Sequence, residues 1–305
     1  MSNALLLLPD FLLIVVGFVL CRFTALNRPV WEAAERLVYY LLFPVLLFNS
    51  ILKSPLQPAQ TLSLAAAGVA TMSCGIGLAL ALKYWPGVDA RLHASGAQVA
   101  FRFNSFIALA LSERLGGPQA LAWTALMIAL CVPLANVAAV WPLARHGGHP
   151  YGRELLRNPL IVSTLGGLVA NVAGLHLPDA VSITLQRIGL AALPLGLMAV
   201  GAGLRLGGLK ASPALAVALL SLRHAVLPMI AIGLTSALVL ALPAEQRVVV
   251  VMFAALPTAS SAYVLAARMG GDGSYVAGLV TVSTLLGMVS VPLWLAVLAW
   301  LSRLS

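Results

Sequence analysis

The sequence predicts an all-α integral membrane protein of ten transmembrane helices, arranged as two inverted five-helix repeats with crossing, broken fourth and ninth helices. Three observations carry this expectation. The chain of 305 residues is 61% hydrophobic and only 9% charged, a composition that a water-soluble globule of this size does not sustain. Prolines and glycines recur between the halves at nearly constant offset: Pro9 and Pro159, Gly17 and Gly167, and Pro44 and Pro194 are each 150 residues apart. Farther on, Arg114-Leu115-Gly116-Gly117 answers Arg268-Met269-Gly270-Gly271 at an offset of 154. The segment between recurrences holds an odd number of spans, so its second copy must enter the bilayer upside down, as in many secondary transporters.

A span needs about 20 mostly apolar residues. Ten are expected, at 5–22, 37–53, 61–85, 94–115, 120–144, 158–175, 180–204, 213–242, 247–268 and 274–301. The first differs from a secretory signal: no basic segment leads it, no small-x-small site follows Arg22, and Pro9 and Gly17 have partners in the second half. The second and seventh carry Pro44 and Pro194 and are expected to kink there. The third and eighth are long apolar runs, the eighth interrupted by Arg223-His224, where a lone histidine is more often a satisfied core group than a proton site. The fourth and ninth hold polar breaks, and the fifth and tenth close each unit. Gly166-Gly167, Gly201 and Gly203 suit close helix packing. The most polar interval is 145–157 (RHGGHPYGRELLR). It divides the chain into a first repeat at 1–144 and an inverted second repeat at 158–305, together one membrane domain with scaffold and transport parts.

The net charge of +9 is distributed by topology. With the N-terminus outside, the inner loops hold eleven Lys and Arg, among them Arg28, Arg36, Arg145, Arg153 and Arg157, and the outer side holds five. Arg102 and Arg223 remain inside spans. The positive-inside rule therefore predicts both termini in the periplasm and 145–157 in the cytoplasm, for a multi-pass protein of the bacterial inner membrane. The basicity does not call for nucleic acid, and the partner it implies is the lipid bilayer. Cys21, Cys74 and Cys131 are isolated, with neither disulfide nor metal spacing, so no metal or cofactor is expected.

Broken helices carry function in membranes, because a break frees backbone groups that hydrocarbon cannot satisfy. The fourth span places Gln98, Arg102, Asn104 and Ser105 at its middle, a costly run unless it faces protein or water. In the ninth, Pro257 lacks an amide hydrogen and disfavours helix at Leu256, while Thr258, Ser260 and Ser261 could bind the liberated groups. At the 154 offset Phe103 falls on Pro257 and Asn104 on Thr258. If both spans unwind and cross, two half-helix N-termini face one midplane site, each carrying roughly half a positive charge and suited to a carboxylate. The competing reading is a ninth span that is merely kinked, its hydroxyls bonded back to the helix. Arg102 could attract an anion or neutralise helix C-terminal carbonyls. Candidate substrate-binding residues are thus Asn104, Arg102, Phe103, Ser105, Pro257, Thr258, Ser260 and Ser261. Glu113 and Asp272 fall near span ends, where surface or ion-pair roles are expected.

The run 101–107 (FRFNSFI), the stretch 256–263 (LPTASSAY) and 269–272 (MGGD), with Pro44 and Asn158-Pro159, resemble bacterial members of the auxin efflux carrier family, which includes the plant PIN auxin carriers. The resemblance covers essentially the whole chain. It implies ten spans in inverted repeats, a scaffold carrying a homodimer contact, and a transport domain with crossing fourth and ninth helices, as in carriers of the bile-acid symporter kind. It also implies substrate contact at Asn104 and a lining role for Asn49 on the second span. Two departures stand out. The plant carriers tend to have asparagine where this chain has Thr258, and their long cytosolic loop is reduced here to 145–157.

The function expected is a carrier for a small organic anion, a carboxylate or auxin-like weak acid, working by alternating access. No acidic residue sits securely at mid-membrane to supply a sodium cage or proton relay. An inside-negative potential would then drive export. The alternative is a sodium- or proton-coupled organic-anion symporter, and behind it a channel or receptor. No enzyme is expected, because neither HExxH, GxSxG with a buried histidine, nor an aspartate pair occurs within a span.

Overall fold

The computed structural model describes residues 3–53, 58–144, 159–205, 208–235, 242–259 and 261–303. The connection 145–157 and Ser260 lie outside these. Helix makes up 85% and no strand occurs among the described residues. Among the described residues, six helices are long and apolar enough to cross a membrane, and two shorter apolar ones, Phe11–Phe23 and Val162–Val172, join them. Helix dominates because a backbone in hydrocarbon must satisfy every N–H and C=O within its own segment.

The elements run as follows. Helix α1 spans Asn3–Phe23. Helix α2 (Arg28–Leu37) passes through a π-helical turn, Val38–Leu42, into α3 (Phe43–Lys53). Helix α4 spans Pro58–Ala81, and the short α5 (Ala90–Gly96) and α6 (Gln98–Phe101) lead to α7, Ser105–Ala144, which bends at Gly116 and Gly117. The second half contains α8 (Pro159–Val172), α9 (Asp179–Leu190), α10 (Ala192–Ala202) and α11 (Pro213–Ser221). A second π turn, Leu222–Val226, joins α11 to α12 (Leu227–Leu234). Helices α13 (Ala244–Ala255), α14 (Ala262–Arg268) and α15 (Gly273–Leu301) end the chain.

The kinks expected at Pro44 and Pro194 fall about one turn earlier. Proline withholds a donor from the carbonyl four residues back and its ring crowds that carbonyl, so the disturbance lies ahead of the proline. Ahead of Pro44 it is the π turn Val38–Leu42, and ahead of Pro194 it is the interruption at Ala191 between α9 and α10. Polar side chains close other helix ends: Asp89 accepts from the Leu92 amide at 2.8 Å and Asp272 from the Tyr275 amide at 2.8 Å. Asp272 is therefore a helix cap.

Packing is reciprocal between the two halves of the chain. Helix α1 lies along α10 and α3 along α8, so the first helix of each half rests on the second helix of the other. A Cβ on Gly17 would collide with the backbone of Met198, and one on Gly167 would stand 3.0 Å from the Phe48 carbonyl oxygen. Phe48 and Met198 are themselves 150 residues apart. The recurring glycines thus mark the same backbone-to-backbone approach made twice, which a side chain would prevent. A second group forms where α4 packs on α7 and α12, α13 packs on α7, α12 and α15, and α14 packs on α15. Helix α7 also touches α3, α8 and α10 and so joins the two groups.

Candidate functional site

Both expected breaks are present, and they touch. Helix α6 ends at Phe101, Arg102 is extended (φ −70, ψ 150), and α7 starts at Ser105. Helix α13 ends at Ala255, Leu256 is extended (φ −56, ψ 147), and α14 starts at Ala262. Arg102 and Leu256 are 154 residues apart, the offset seen between the glycine pairs 116–117 and 270–271. The Asn104 amide donates to the Pro257 carbonyl at 2.9 Å, joining one break to the other through the main chain. The rings of Phe103 and Phe253 meet with centroids 4.3 Å apart and seal the contact.

Asn104 is 3% exposed and Thr258 is fully buried. The Asn104 side chain is divided between two tasks. Its Oδ1 accepts from the amides of Phe106 (3.0 Å) and Ile107 (3.2 Å), capping α7. Its Nδ2 has no partner among the described residues, and neither has the Thr258 hydroxyl. A buried polar group left unmade costs about 1–3 kcal/mol, and these two belong to Asn104 and to the residue after Pro257, at the contact between the breaks. The α7 terminus differs from the expectation of free amides, because Asn104 already occupies two of them. The Thr258 amide is also engaged, donating to Ser283 Oγ at 2.9 Å. Unmet hydrogen-bonding capacity at this contact thus lies with side chains.

Arg102 supplies the charge. Its Nη1 donates to Gln98 Oε1 at 2.9 Å and its Nη2 to Ser261 Oγ at 3.3 Å, and no carboxylate pairs with it among the described residues. Gln98 Nε2 in turn donates to the carbonyls of Ser95 (3.0 Å) and Ala262 (3.2 Å), tying the first break to the start of α14. Arg102, Phe103, Ser105 and Ser261 line one cavity of about 130 Å³, with Tyr39, Val132, Ala135, Asn136 and Ala259. Tyr39 and Asn136 were not legible as site residues, because they reach the cavity from α2–α3 and from the distal part of α7 through tertiary packing. Asn49 is buried, its Oδ1 without a partner among the described residues, yet it does not line this cavity. A separate cavity of about 410 Å³ meets α7 farther along, at Ala110, Glu113 and Arg114, against Leu13, Leu190, Leu193, Pro194 and Leu197. Glu113 therefore faces a cavity as well as lying near the α7 bend.

Backbone groups freed by the second break are met from other helices; of Thr258, Ser260 and Ser261, expected to bind them, Thr258 and Ser261 do not among the described residues, and Ser260 lies outside these. Pro257 offers no amide to Phe253, whose carbonyl accepts from Arg223 Nη2 at 3.1 Å, while the Leu256 carbonyl accepts from Arg223 Nε at 2.5 Å. The Ala255 carbonyl accepts from Ser290 Oγ at 3.4 Å. His224 is held on both ring nitrogens, by Ser290 Oγ and Ser283 Oγ, each at 2.8 Å. Ser283 and Ser290 lie seven residues apart on one face of α15, a spacing visible in the sequence although its purpose was not. Among the described residues no group of three or more His, Cys, Asp or Glu is placed to hold a metal ion.

Against this geometry, one comparison with known proteins is informative. Residues 149–295 match the family model described as membrane transport protein, the domain of the auxin efflux carrier/PIN family. Over that stretch the chain is similar to membrane transporters, and its apolar helices fit a multi-pass membrane protein. No match was found among curated proteins.

Proposed function

We propose that this membrane transporter is a secondary carrier for a small organic anion, a carboxylate or auxin-like weak acid, with the contact between its two helix breaks as the substrate site. The observation that carries the reading is Arg102: a half-buried guanidinium facing a cavity, bonded only to neutral partners among the described residues. A carboxylate 4 Å from it gains about 4 kcal/mol at the effective dielectric of such a site. Ser105 and Ser261 supply hydroxyls to orient the anion, Phe103 and Tyr39 apolar surface for its body. Asn104 Nδ2 and the Thr258 hydroxyl lie unpaired behind them.

In this reading the chain crosses the bacterial inner membrane ten times as two inverted five-helix units, with both termini periplasmic. The reciprocal packing of α1 on α10 and α3 on α8, and of Gly17 on Met198 and Gly167 on Phe48, supports that arrangement. The α1–α3–α8–α10 group is the scaffold and carries the homodimer contact. The group around α4, α7 and α12–α15 moves as an elevator. The Arg102 cavity then lies on the cytoplasmic side of the crossover. Glu113 is eight residues beyond Ser105, about 12 Å along the helix, which puts its cavity on the periplasmic side. The two cavities serve as vestibules of alternating access. An anion leaves down the membrane potential, which contributes roughly 2.3 kcal/mol per charge per 100 mV, about a fifty-fold gradient.

A thermal-shift screen of purified protein against small carboxylates, weak-acid auxins included, and their uncharged amides tests the reading. Saturable stabilisation by one or more carboxylates, absent with the matching amide, is the expected result. Equal stabilisation by acid and amide, or none by any acid, contradicts it.

A further inference from the structure

The polar cluster behind the second break has a direction. Ser283 Oγ receives the Thr258 amide hydrogen at 2.9 Å. Its own hydrogen is then free for His224 Nε2 at 2.8 Å, and in that direction Nε2 is the bare, accepting nitrogen. The other nitrogen, Nδ1, carries the ring hydrogen and donates to Ser290 Oγ at 2.8 Å. Ser290 passes its hydrogen to the Ala255 carbonyl at 3.4 Å. The chain begins at Thr258 and returns to Ala255, so it brackets the break from both sides. Trp294 Nε1 fixes the His224 carbonyl at 2.7 Å, and the adjacent Arg223 holds the carbonyls of Phe253 and Leu256. The side chains hydrogen-bonded to the His224 ring are the uncharged Ser283 and Ser290, and the charge next to it in the chain, Arg223, is turned onto the end of α13.

We infer that His224 is a positioning residue for the substrate site. As the neutral, Nδ1-protonated tautomer it aligns Ser283 and Ser290, and these hold residues 255–258 open, so that Pro257 meets Asn104 and the Thr258 hydroxyl stays unspent. Local order explains why two serines and a histidine stand in otherwise apolar spans. A continuous helix would bond the Thr258 amide to the Ala254 carbonyl, and Ser283 is the competing acceptor that prevents this. The significance for transport rests on the proposed substrate site, whereas the tautomer and the clamp do not. They can be measured without any ligand.

The experiment uses full-length protein in lipid nanodiscs with ¹⁵N-labelled histidine. The His224 signals are assigned by their loss in H224Q or, if that variant does not fold, in a protein keeping His224 as its only histidine. The wild type should show Nδ1 protonated and Nε2 bare and hydrogen-bonded, and Ser283→Ala should perturb Nε2 while leaving Nδ1 in place. Hydrogen exchange supplies the readout of position. The Thr258 amide should exchange about tenfold faster in Ser283→Ala and return to the wild-type rate in Ser283→Thr, with the amides of α11 and α12 unchanged. An Nε2-protonated or doubly protonated ring in the wild type overturns the inference. So does an unchanged Thr258 amide in Ser283→Ala, or exchange that rises equally throughout α11–α15, the mark of general loosening.

Discussion

Replacing Asn104 by serine separates the two tasks of its side chain. Serine caps a helix about as well as asparagine, so it can still accept from the amides of Phe106 and Ile107, which Asn104 Oδ1 now serves. What it removes is Nδ2, the donor without a partner. A hydrogen bond to a charged ligand is worth about 1.5–3 kcal/mol, so the dissociation constant should rise roughly ten- to a hundredfold. The melting temperature without ligand should hardly move. Asn104→Ala removes the cap as well, at a further cost of about 0.5–2 kcal/mol in stability, and should lower the melting temperature while losing similar affinity. The assay is calorimetric titration with the best carboxylate from the thermal screen, beside ligand-free melting of all three proteins. Serine-variant affinity equal to wild type would refute a ligand at Nδ2. Equal melting temperatures for the serine and alanine variants would refute the division of labour.

Three further outcomes follow from the same geometry. Pro257→Ala restores an amide that can reach the Phe253 carbonyl in competition with Arg223, so α13 should lengthen and both binding and flux should fall without loss of thermal stability; flux at the wild-type rate would count against an essential break. Thr258→Val deletes the unpaired hydroxyl and keeps the shape, and titration should show weaker binding than wild type but a smaller loss than in Pro257→Ala. For topology, a cysteine at position 303 should be labelled from outside sealed cells and one at 149 should not, on a background lacking Cys21, Cys74 and Cys131; labelling of 149 reverses the assigned orientation.

Both helix breaks of the candidate site were legible because hydrocarbon tolerates few exceptions. Gln98, Arg102 and Asn104 in one span and Pro257 in another could each be read as a break, and extended residues, Arg102 and Leu256, stand 154 positions apart at the two places. The glycine recurrences were legible too, since Gly17 and Gly167 prove to be equivalent close approaches. Less could be read of what completes each break. Backbone groups freed at Pro257 are satisfied by Arg223, Ser283 and Ser290 from helices distant in the chain, a tertiary answer to a local deficit. Periodicity reveals that Ser283 and Ser290 share a face but not what that face meets. Asn104 shows the opposite limit: its residue type announced polarity, while its use as a cap reduced what it can offer a substrate.

The claim that matters most is that Arg102 holds an anion at the crossover, and flux measured in proteoliposomes tests it most directly. Purified wild type and Arg102→Gln are reconstituted, and counterflow of the radiolabelled carboxylate chosen from the thermal screen is followed under imposed potentials of either sign, with and without a sodium gradient. The account predicts saturable wild-type flux toward the positive compartment, indifferent to sodium, and a loss of at least tenfold in Arg102→Gln. That loss corresponds to about 1.4 kcal/mol, well within what one cation contributes in such a cavity. Arg102→Gln flux equal to wild type at every potential would contradict the account.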